Sequence, residues 1–386
     1  MSAHPRRTVA LLAAALLGAA GGCSAGSEAP PRGATSPAAE EPPAGFTLVA
    51  TGDLLVHDSV IRQAAADAQG TGRDGYDFAP MLAGVRSLVA DADLAICHME
   101  TVYGPEEGPF TGYPLFHTPP QLATAVGELG YDSCSTASNH TLDAGPEGVR
   151  RTLDAMDAAG LKHAGSARSA EERETPTLLR AGGAKVAHLA YAYGTNGIPV
   201  PEEQPWLVNL IDPERIIADA RAARSAGADV VVVSMHWGTE WQEDPDELQL
   251  SLADRLTSSA RDGRRDIDLI IGTHAHVPQA YEKVNGTWVV YGMGDQVAGV
   301  MNDPRGQLGS AARFTFAPPR RPGEPWTVRK AEFVPFAVHN DPISVVNLPE
   351  ALATSPGDPA LTDSLERIKA AVLGRGAEAD GLRMGG

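Results

Sequence analysis

Hydrophobic residues in the first two thirds of the chain come in short runs that alternate with amphipathic stretches. Each run ends in polar residues, as expected of buried strands followed by loops. The stretches 146–160 and 213–227 have apolar residues at helical spacing and end in glycine, a common helix end. Alternation of this kind indicates an α/β domain with mainly parallel strands. The runs that we predict to be strands are 46–53, 92–100, 131–140, 228–238 and 267–276.

The pattern changes near residue 280, where one predicted strand follows another. Asn285-Gly286 predicts a hairpin turn, and further strands are predicted in "AARFTFAP" and "WTVRKAEFVPF". We expect these strands to form a second, more antiparallel sheet that faces the first. The domain would then cover 46–340, followed by a Pro/Gly-rich tail, 341–386, with one short helical pattern near 359–374.

The first residues have the composition of an export signal. A basic start at Arg6 and Arg7 precedes an apolar run, 9–20, and small residues before Cys23, which predicts a signal peptide over 1–22. Ala20-Gly21-Gly22-Cys23 resembles a bacterial lipobox, so Cys23 would be lipidated; ordinary signal cleavage nearby is the alternative. The Pro/Ala-rich segment 23–45 predicts a disordered tether. We therefore expect an exported lipoprotein, anchored on the extracytoplasmic face of the membrane.

Charge and cysteine content narrow the classes of partner and fold. The formal net charge is −18, which makes the chain a poor candidate for binding nucleic acid or anionic lipid. Only Cys97 and Cys134 remain beyond Cys23, so no disulfide framework is expected. We interpret both as small buried residues of predicted strands, and a single bridge between them is the alternative.

Residue types that bind metals follow the predicted strands. In open α/β sheets, ligands bind at the carboxyl ends of the strands. Carboxylate, amide and imidazole groups from five segments would meet there, which predicts a metal site. In chain order these strand ends carry Asp53 with His57 four residues later, Glu100, Asn139 with His140, His236, and His274 with His276.

His274 and His276 are the most informative pair. On an extended backbone, residues i and i+2 project to the same face, so both imidazoles would share one small volume. Neutral rings with a common metal ion explain this arrangement, and two histidines that meet water are the alternative.

The number of candidate ligands favours two ions over one. It exceeds what one tetrahedral or octahedral ion would use alongside water, and Glu100, from a central strand, could bridge both ions. Paired ions lower the pKa of a bound water and brace the charge that develops in a displacement. The mixture of imidazole, carboxylate and amide suits Mn, Fe or Zn.

The ordered motifs "GDLLVH", "ME", "SNHTLDAG", "HWGTEW", "GTHAHV" and "YGMGD" together resemble the CapA family of capsule and poly-γ-glutamate biosynthesis proteins. That family is related to the calcineurin-like metallophosphoesterases. The resemblance covers roughly residues 46–340 and implies a four-layer α-β-β-α sandwich, metallophosphatase-like, with a dinuclear metal centre.

The resemblance also implies roles for individual residues. Asp53 and His276 would bind one ion, and Glu100 would bridge to the other. His140 would be the general acid, with Asp143 as a candidate to orient it. The ligands of the second ion would be Asn139, His236 and His274.

Three departures from the family pattern change these expectations. His57 lies four residues from Asp53 instead of two, which leaves its ligand role open. The usual Asn-Leu-Glu is His98-Met99-Glu100; we expect a supporting or surface role for His98, with ligation as the alternative. Asp295 stands where the family has asparagine, and it could orient a ligand histidine.

Two classes of function follow. The first is a metal-dependent hydrolase or transferase acting on a cell-envelope polymer or a phosphorylated precursor, with His140 protonating the leaving group. The second is a non-catalytic accessory subunit of a membrane complex that synthesises and exports the polymer. A surface phosphoesterase is a further alternative within the first class.

Overall fold

The structure is a computed structural model that describes residues 44–321 and 323–386. The predicted signal peptide, Cys23 and the tether up to residue 43 lie outside the described residues. Within the described part, no helix is long and apolar enough to cross a membrane.

The elements follow one another in the alternating order that the hydrophobic pattern predicts. The strands are β1 (Phe46–Leu54), β2 (Leu94–Met99), β3 (Ser133–Ser135), β4 (Lys162–Ala164), β5 (Thr177–Ala181), β6 (Ala184–Ala192), β7 (Val230–His236), β8 (Ala260–Arg261), β9 (Arg264–Arg265), β10 (Leu269–Thr273), β11 (Tyr281–Val284), β12 (Thr287–Val290), β13 (Asp295–Val297), β14 (Leu308–Ala317), β15 (Thr327–Asn340), β16 (Ile343–Asn347) and β17 (Leu382–Met384). The helices are α1 (Asp58–Thr71), α2 (Arg86–Ala90), α3 (Gln121–Leu129), α4 (Gly145–Ala158), α5 (Ala170–Glu174), α6 (Pro213–Ser225), α7 (Glu247–Ser258), α8 (Leu348–Thr354) and α9 (Pro359–Leu373), with short 3₁₀ turns at Ala83–Val85, Pro205–Leu207 and Pro304–Gln307.

Two sheets form the centre of the molecule. The first has the order β16-β15-β14-β1-β2-β3-β4, with β13 beside β1 and β17 beside β15; the second has the order β11-β12-β10-β7-β6-β5. Strands β1 to β4 are parallel in the first sheet. Strands β6, β7, β10 and β12 are parallel in the second.

The prediction of a separate antiparallel sheet after residue 280 is therefore wrong. The β11–β12 hairpin turns at Asn285-Gly286 as predicted, but it extends the second sheet. Strands β14 to β16 extend the first sheet by antiparallel pairing: β14 pairs with β1, β15 with β14, and β16 with β15. A short apolar run has the same pattern in either sheet, because the pattern reports burial and not the pairing partner.

Successive residues of each strand face opposite sides of its sheet, and this alternation produces the layers of the sandwich. On β1, Leu48 faces the second sheet, where it joins a core with Val232 and Leu269, whereas Val49 faces the helices α1 to α4. On β7, Val231 faces α6 and α7, where Ile216 is buried. Each sheet is thus covered by helices on its outer face, and the four-layer α-β-β-α sandwich is confirmed.

The two cysteines of the described chain lie side by side in the first sheet. Cys97 on β2 and Cys134 on β3 are register partners, and both are buried as predicted. The structure joins them by a disulfide bond, which is the single bridge that the sequence analysis gave as the alternative. Neither sulfur is therefore available as a thiolate ligand.

The segment 341–386 belongs to this sandwich and is not a tail. Strand β16 pairs with β15 directly after the expected boundary, and Ile368 and Leu382 are buried in the core between the sheets. Two of its prolines occupy first turns of helices: Pro349 lies in the first turn of α8, and Pro359 opens α9, which Asp358 caps. Proline is favoured there, since that position has no helical N–H partner to lose.

Candidate metal centre

Strand register aligns four polar residues in one row across the first sheet. Asp295 on β13 pairs with Asp53 on β1, Asp53 with His98 on β2, and His98 with Ser135 on β3. Paired residues of neighbouring strands point to the same face, so this row faces one volume. β1 can approach β13 because residue 52 is glycine; a Cβ there would collide with the carbonyl oxygen of Gly294.

Glu100 follows β2 and lies between two imidazoles. Its Oε1 atom is 4.0 Å from Nε2 of His236 and 4.0 Å from Nε2 of His276. The side chain is buried, and neither carboxylate oxygen has a hydrogen-bond partner. This is the position that a bridging ligand would need.

His236 enters the same volume from the end of β7 in the second sheet. Its Nδ1 atom lies 3.0 Å from Oγ1 of Thr273, and its Nε2 atom lies 2.9 Å from Oδ1 of Asn139. Both nitrogens of His236 therefore have hydrogen-bond partners in the structure. The separation from Asn139 is also close to that of two atoms that bind one ion at usual bond lengths, about 3 Å.

His274 and His276 converge for a different reason than predicted. β10 ends at Thr273, and both histidines have positive φ values, 92° and 56°, so the extended backbone that we assumed is wrong. Left-handed backbone is uncommon for residues other than glycine and clusters at functional sites. The two rings remain close, 5.8 Å between centres, but they have different neighbours: His274 packs 4.7 Å from the ring of His236, whereas Nδ1 of His276 bonds to Asp295 at 2.8 Å.

The side chains that meet here form overlapping ligand sets. We use the name strand-end cluster for the following residues: Asp53, His98, Glu100, His236, His274, His276 and Asp295. Within each set the ligand atoms lie within 4.8 Å of one another. Glu100 belongs to two sets, as the bridging prediction requires. The sets are Asp53, Glu100, His276 and Asp295; Glu100, His236 and His274; Asp53, His98 and His236; and Glu240, His274 and His276.

The donor groups of the strand-end cluster fit divalent cations. In the described part of the chain, Asp53, Glu100 and Asp295 are completely buried and form ion pairs with histidines, not with lysine or arginine. Buried carboxylates without a cation are costly, and positive ions would compensate them. The buried atoms without a hydrogen-bond partner include Asp53 Oδ1, His98 Nε2, both Glu100 oxygens, His274 Nδ1 and Asp295 Oδ2.

The pKa values of the buried groups indicate which of them hold protons that a bound ion would displace. Burial, together with the charge of Asp295, raises the pKa of Asp53 to about 8, and burial raises that of Glu100 well above its usual range. Burial lowers the pKa of His274 to about 3, which leaves the neutral ring that metals bind. Burial also disfavours charge on His276, but Asp295 and other carboxylates raise its pKa well above the usual value. Metal binding here would therefore release protons.

His140 and His57 lie at the edge of the cluster. Nδ1 of His140 is 2.7 Å from Oδ2 of Asp143, the contact that an orienting role for Asp143 requires. Phe116 packs against His140 at 4.6 Å and against His57 at 5.2 Å between ring centres. None of the ligand sets found among the described residues includes His57, which caps α1. The structure thus brings His57 beside the site but not among its ligand groups.

Sequence reasoning underrated or missed several residues at the site. His98 is buried in the row with Asp53, a position that its spacing of two from Glu100 could have indicated. Glu240 reaches the two histidines after β10. Tyr193 packs 4.5 Å from His274; it follows β6, which we did not predict, so no pattern pointed to it.

A cavity of about 450 Å³ lies away from this cluster, around β4, α5 and β6. Several of its charged residues are paired with one another: Arg168 contacts Asp157 and Glu172, and Arg173 contacts Asp219. In contrast to the strand-end cluster, these side chains therefore have partners of opposite charge.

Comparison with known proteins agrees with the motif series. A family model described as bacterial capsule synthesis protein PGA_cap matches residues 47–300, and the chain belongs to that family. The capsule biosynthesis protein CapA of Bacillus anthracis is 28% identical over 181 residues, which is 46% of this chain and 42% of that protein. A probable polyglutamine synthesis accessory protein of Mycobacterium tuberculosis is 28% identical over 188 residues, 46% of this chain and 48% of its own length. The chain thus spans less than half the length of these curated relatives.

Solved structures with a similar arrangement of elements are also known. A 5′-nucleotidase precursor from Thermus thermophilus has a TM-score of 0.46 and 18% identity, covering 84% of this chain and 58% of its own. The calcineurin-like phosphoesterase YfkN from Bacillus subtilis has a TM-score of 0.41 and 15% identity, covering 85% of this chain and 100% of its own.

Proposed function

We propose that the strand-end cluster binds two divalent metal ions and that the protein acts with them as a hydrolase or transferase in capsule or poly-γ-glutamate biosynthesis. The observation that carries this proposal is the set of buried carboxylate oxygens and imidazole nitrogens that have no other partner. Mn, Fe and Zn are the ions that this mixture of oxygen and nitrogen donors favours.

The geometry suggests how the side chains would share the ions. Glu100 is common to both, with Asp53 and His276 on one side and Asn139, His236 and His274 on the other. Bound ions would supply a water of lowered pKa and positive charge opposite the charge that develops in a displacement. Asp295 holds the ring of His276 through Nδ1, which leaves Nε2 directed towards Glu100.

His140 is the proposed general acid. Asp143 fixes the ring through Nδ1 and also accepts a hydrogen bond from the backbone N–H of Phe116. Nε2 is then the nitrogen that can deliver a proton to a leaving group. The ring lies at the edge of the cluster, where Phe116 packs against both His140 and His57.

The rim of the site suits a large envelope substrate. Tyr193 and Tyr113 are substantially exposed and lie beside His274 and His57, and Trp241 lies 5.6 Å from the ring of His276. Aromatic faces can contact a polymer backbone or a phosphorylated precursor, while the ions would offer the positive charge that an anionic chain needs. Export and lipidation at Cys23 are part of the proposal and would put the site outside the cytoplasm.

An accessory role in a polymer synthesis and export complex is the second candidate. The Mycobacterium tuberculosis relative whose name includes the words accessory protein favours it. In this role the ions would bind an anionic chain without turnover. A surface phosphoesterase outside polymer biosynthesis is the third candidate.

The deciding experiment combines metal analysis of the purified full chain with a panel of phosphodiesterase, phosphatase and γ-glutamyl hydrolase assays. We expect two ions per chain and metal-dependent turnover of one substrate class. Replacing His140 with Ala should keep both ions but slow turnover by roughly 10²–10⁴-fold, the usual contribution of a general acid. Metal loss in His140→Ala comparable with that in His274→Ala would mean that His140 is a ligand. Metal binding without any turnover would favour the accessory role.

A further inference from the structure

We propose that His98 is a metal ligand and supplies the Nε2 nitrogen of its imidazole to the ion that Asp53 binds. This inference rests on the proposed metal centre and adds a ligand to it. It replaces the supporting or surface role that the sequence suggested for this residue.

The position of His98 places its side chain beside that of Asp53. It is the direct partner of Asp53 in the β1–β2 register, and its side chain is 2% exposed. Its ring stacks on the ring of His236 at 4.6 Å between centres. His98 is therefore held between residues of both sheets that belong to the proposed centre.

Ser135 holds the Nδ1 side of the His98 ring. Its Oγ atom lies 2.6 Å from Nδ1 of His98 and 3.4 Å from the carbonyl oxygen of Cys97. When the neutral ring carries its hydrogen on Nδ1, the hydroxyl oxygen of Ser135 accepts it. Nε2 then presents a lone pair, as it does in metal-ligating histidines whose other nitrogen is held by a partner.

That lone pair faces a carboxylate oxygen. Nε2 of His98 and Oδ1 of Asp53 are 3.6 Å apart, which is too long for a hydrogen bond. Both atoms are buried, and neither has another partner. Two ligands of one ion at usual bond lengths lie about 3.0–3.6 Å apart, so the separation matches a shared cation.

The test compares two serines of the same strand. Ser135 holds His98, whereas Ser133, two positions earlier on β3, holds His188 at 2.9 Å outside the centre. The full-length variants His98→Ala, Ser135→Ala and Ser133→Ala would be equilibrated with Mn²⁺ or Zn²⁺, and ion content and affinity measured by elemental analysis and titration. His98→Ala should lose one ion. Ser135→Ala should weaken binding by roughly 10–100-fold, the usual effect of removing the partner of a ligand histidine, and Ser133→Ala should bind as the wild type does.

A spectroscopic measurement keeps the test independent of stability. In the Mn²⁺-loaded protein, the number of nitrogen couplings seen by pulsed electron paramagnetic resonance should fall in His98→Gln, which fills the same space without an imidazole. Unchanged ion content, affinity and couplings in the His98 variants would overturn this inference while leaving the metal centre intact. A wild-type protein that binds no ion would overturn the proposed function itself.

Discussion

Two buried histidines on neighbouring layers show what distinguishes a site from a structural contact. His188 on β6 is completely buried, and its two nitrogens lie 2.9 Å from Oγ of Ser133 and 2.8 Å from Oγ of Ser234. It links the two sheets in the interior. His98 on β2 is equally buried, but only one of its nitrogens has a hydrogen-bond partner.

The pKa values do not separate these two histidines. Burial lowers the pKa of His98 to about 3 and that of His188 to about 3 as well. The difference lies in the bonding: the interior histidine uses all its polar atoms, whereas the strand-end cluster leaves several unused. Buried polar groups are nearly always paired, so the unused atoms, more than the perturbed pKa, identify where a ligand belongs.

The largest expected effect comes from Glu100→Gln, which removes one charge and preserves shape. Because Glu100 belongs to two ligand sets, ion content should fall to half or less. The metal-free variant should unfold at a temperature equal to or above that of the metal-free wild type, since a buried unpaired carboxyl has been replaced by a neutral amide. Elemental analysis and thermal unfolding with and without Mn²⁺ measure both quantities. A variant with the full wild-type ion content would refute the bridging role.

The matched change in the interior is His188→Ala. Two serine hydroxyls lose their partner there, and a cavity forms, so the free energy of unfolding should fall by roughly 1–3 kcal/mol. Ion content should be unchanged, because His188 is in none of the ligand sets found among the described residues. Urea unfolding and metal analysis of the same sample test the comparison. Loss of ions in His188→Ala would show that the two regions are not independent.

The smallest effect is on the pH dependence of stability. The loss of stability at acid pH involves histidines of both regions, whereas the loss at alkaline pH involves only the strand-end cluster. His98 and His188 have folded pKa values of about 3 against an ordinary value of 6.5. Below pH 6.5 the unfolded chain gains protons that the folded chain does not bind, so stability falls as the pH drops. Asp53, at about 8 against an ordinary 3.8, favours the fold at low pH, and this contribution is lost as the pH rises through about 8.

The metal-free protein should therefore be most stable near pH 6.5 and lose stability on both sides. Bound metal should remove the loss of stability at alkaline pH, since the carboxylates then have a cation. It should not change the loss of stability at acid pH that His188 causes. Melting temperatures between pH 5 and 9, with chelator or with Mn²⁺, would show this. A metal-free melting temperature that rises steadily from pH 6.5 to 8.5 would contradict the assignment of unpaired buried carboxyls.

Much of the fold could be predicted from the sequence because hydrophobic period and turn chemistry are local properties. The predicted strand runs contain β2, β3, β7 and β10, and β1 extends one residue beyond its predicted end; α4 and α6 lie within two residues of their predicted ends. The Asn285-Gly286 hairpin is present. The ligand types at the strand ends were also readable, since a carboxylate or histidine after a buried run stands out against the apolar residues before it.

Only the tertiary structure decided which strands pair and which atoms meet. Strands β14 to β16 joined the first sheet and β11 with β12 the second, because partner choice depends on contacts between segments far apart in sequence. The convergence of His274 and His276 came from a left-handed turn and not from an extended strand. The row Asp295, Asp53, His98 and Ser135 exists only through register across four strands. The sequence alone determined the residue types at the strand ends. The strand pairing, which brings these side chains together and leaves several of their polar atoms without a hydrogen-bond partner, is a property of the folded sheets.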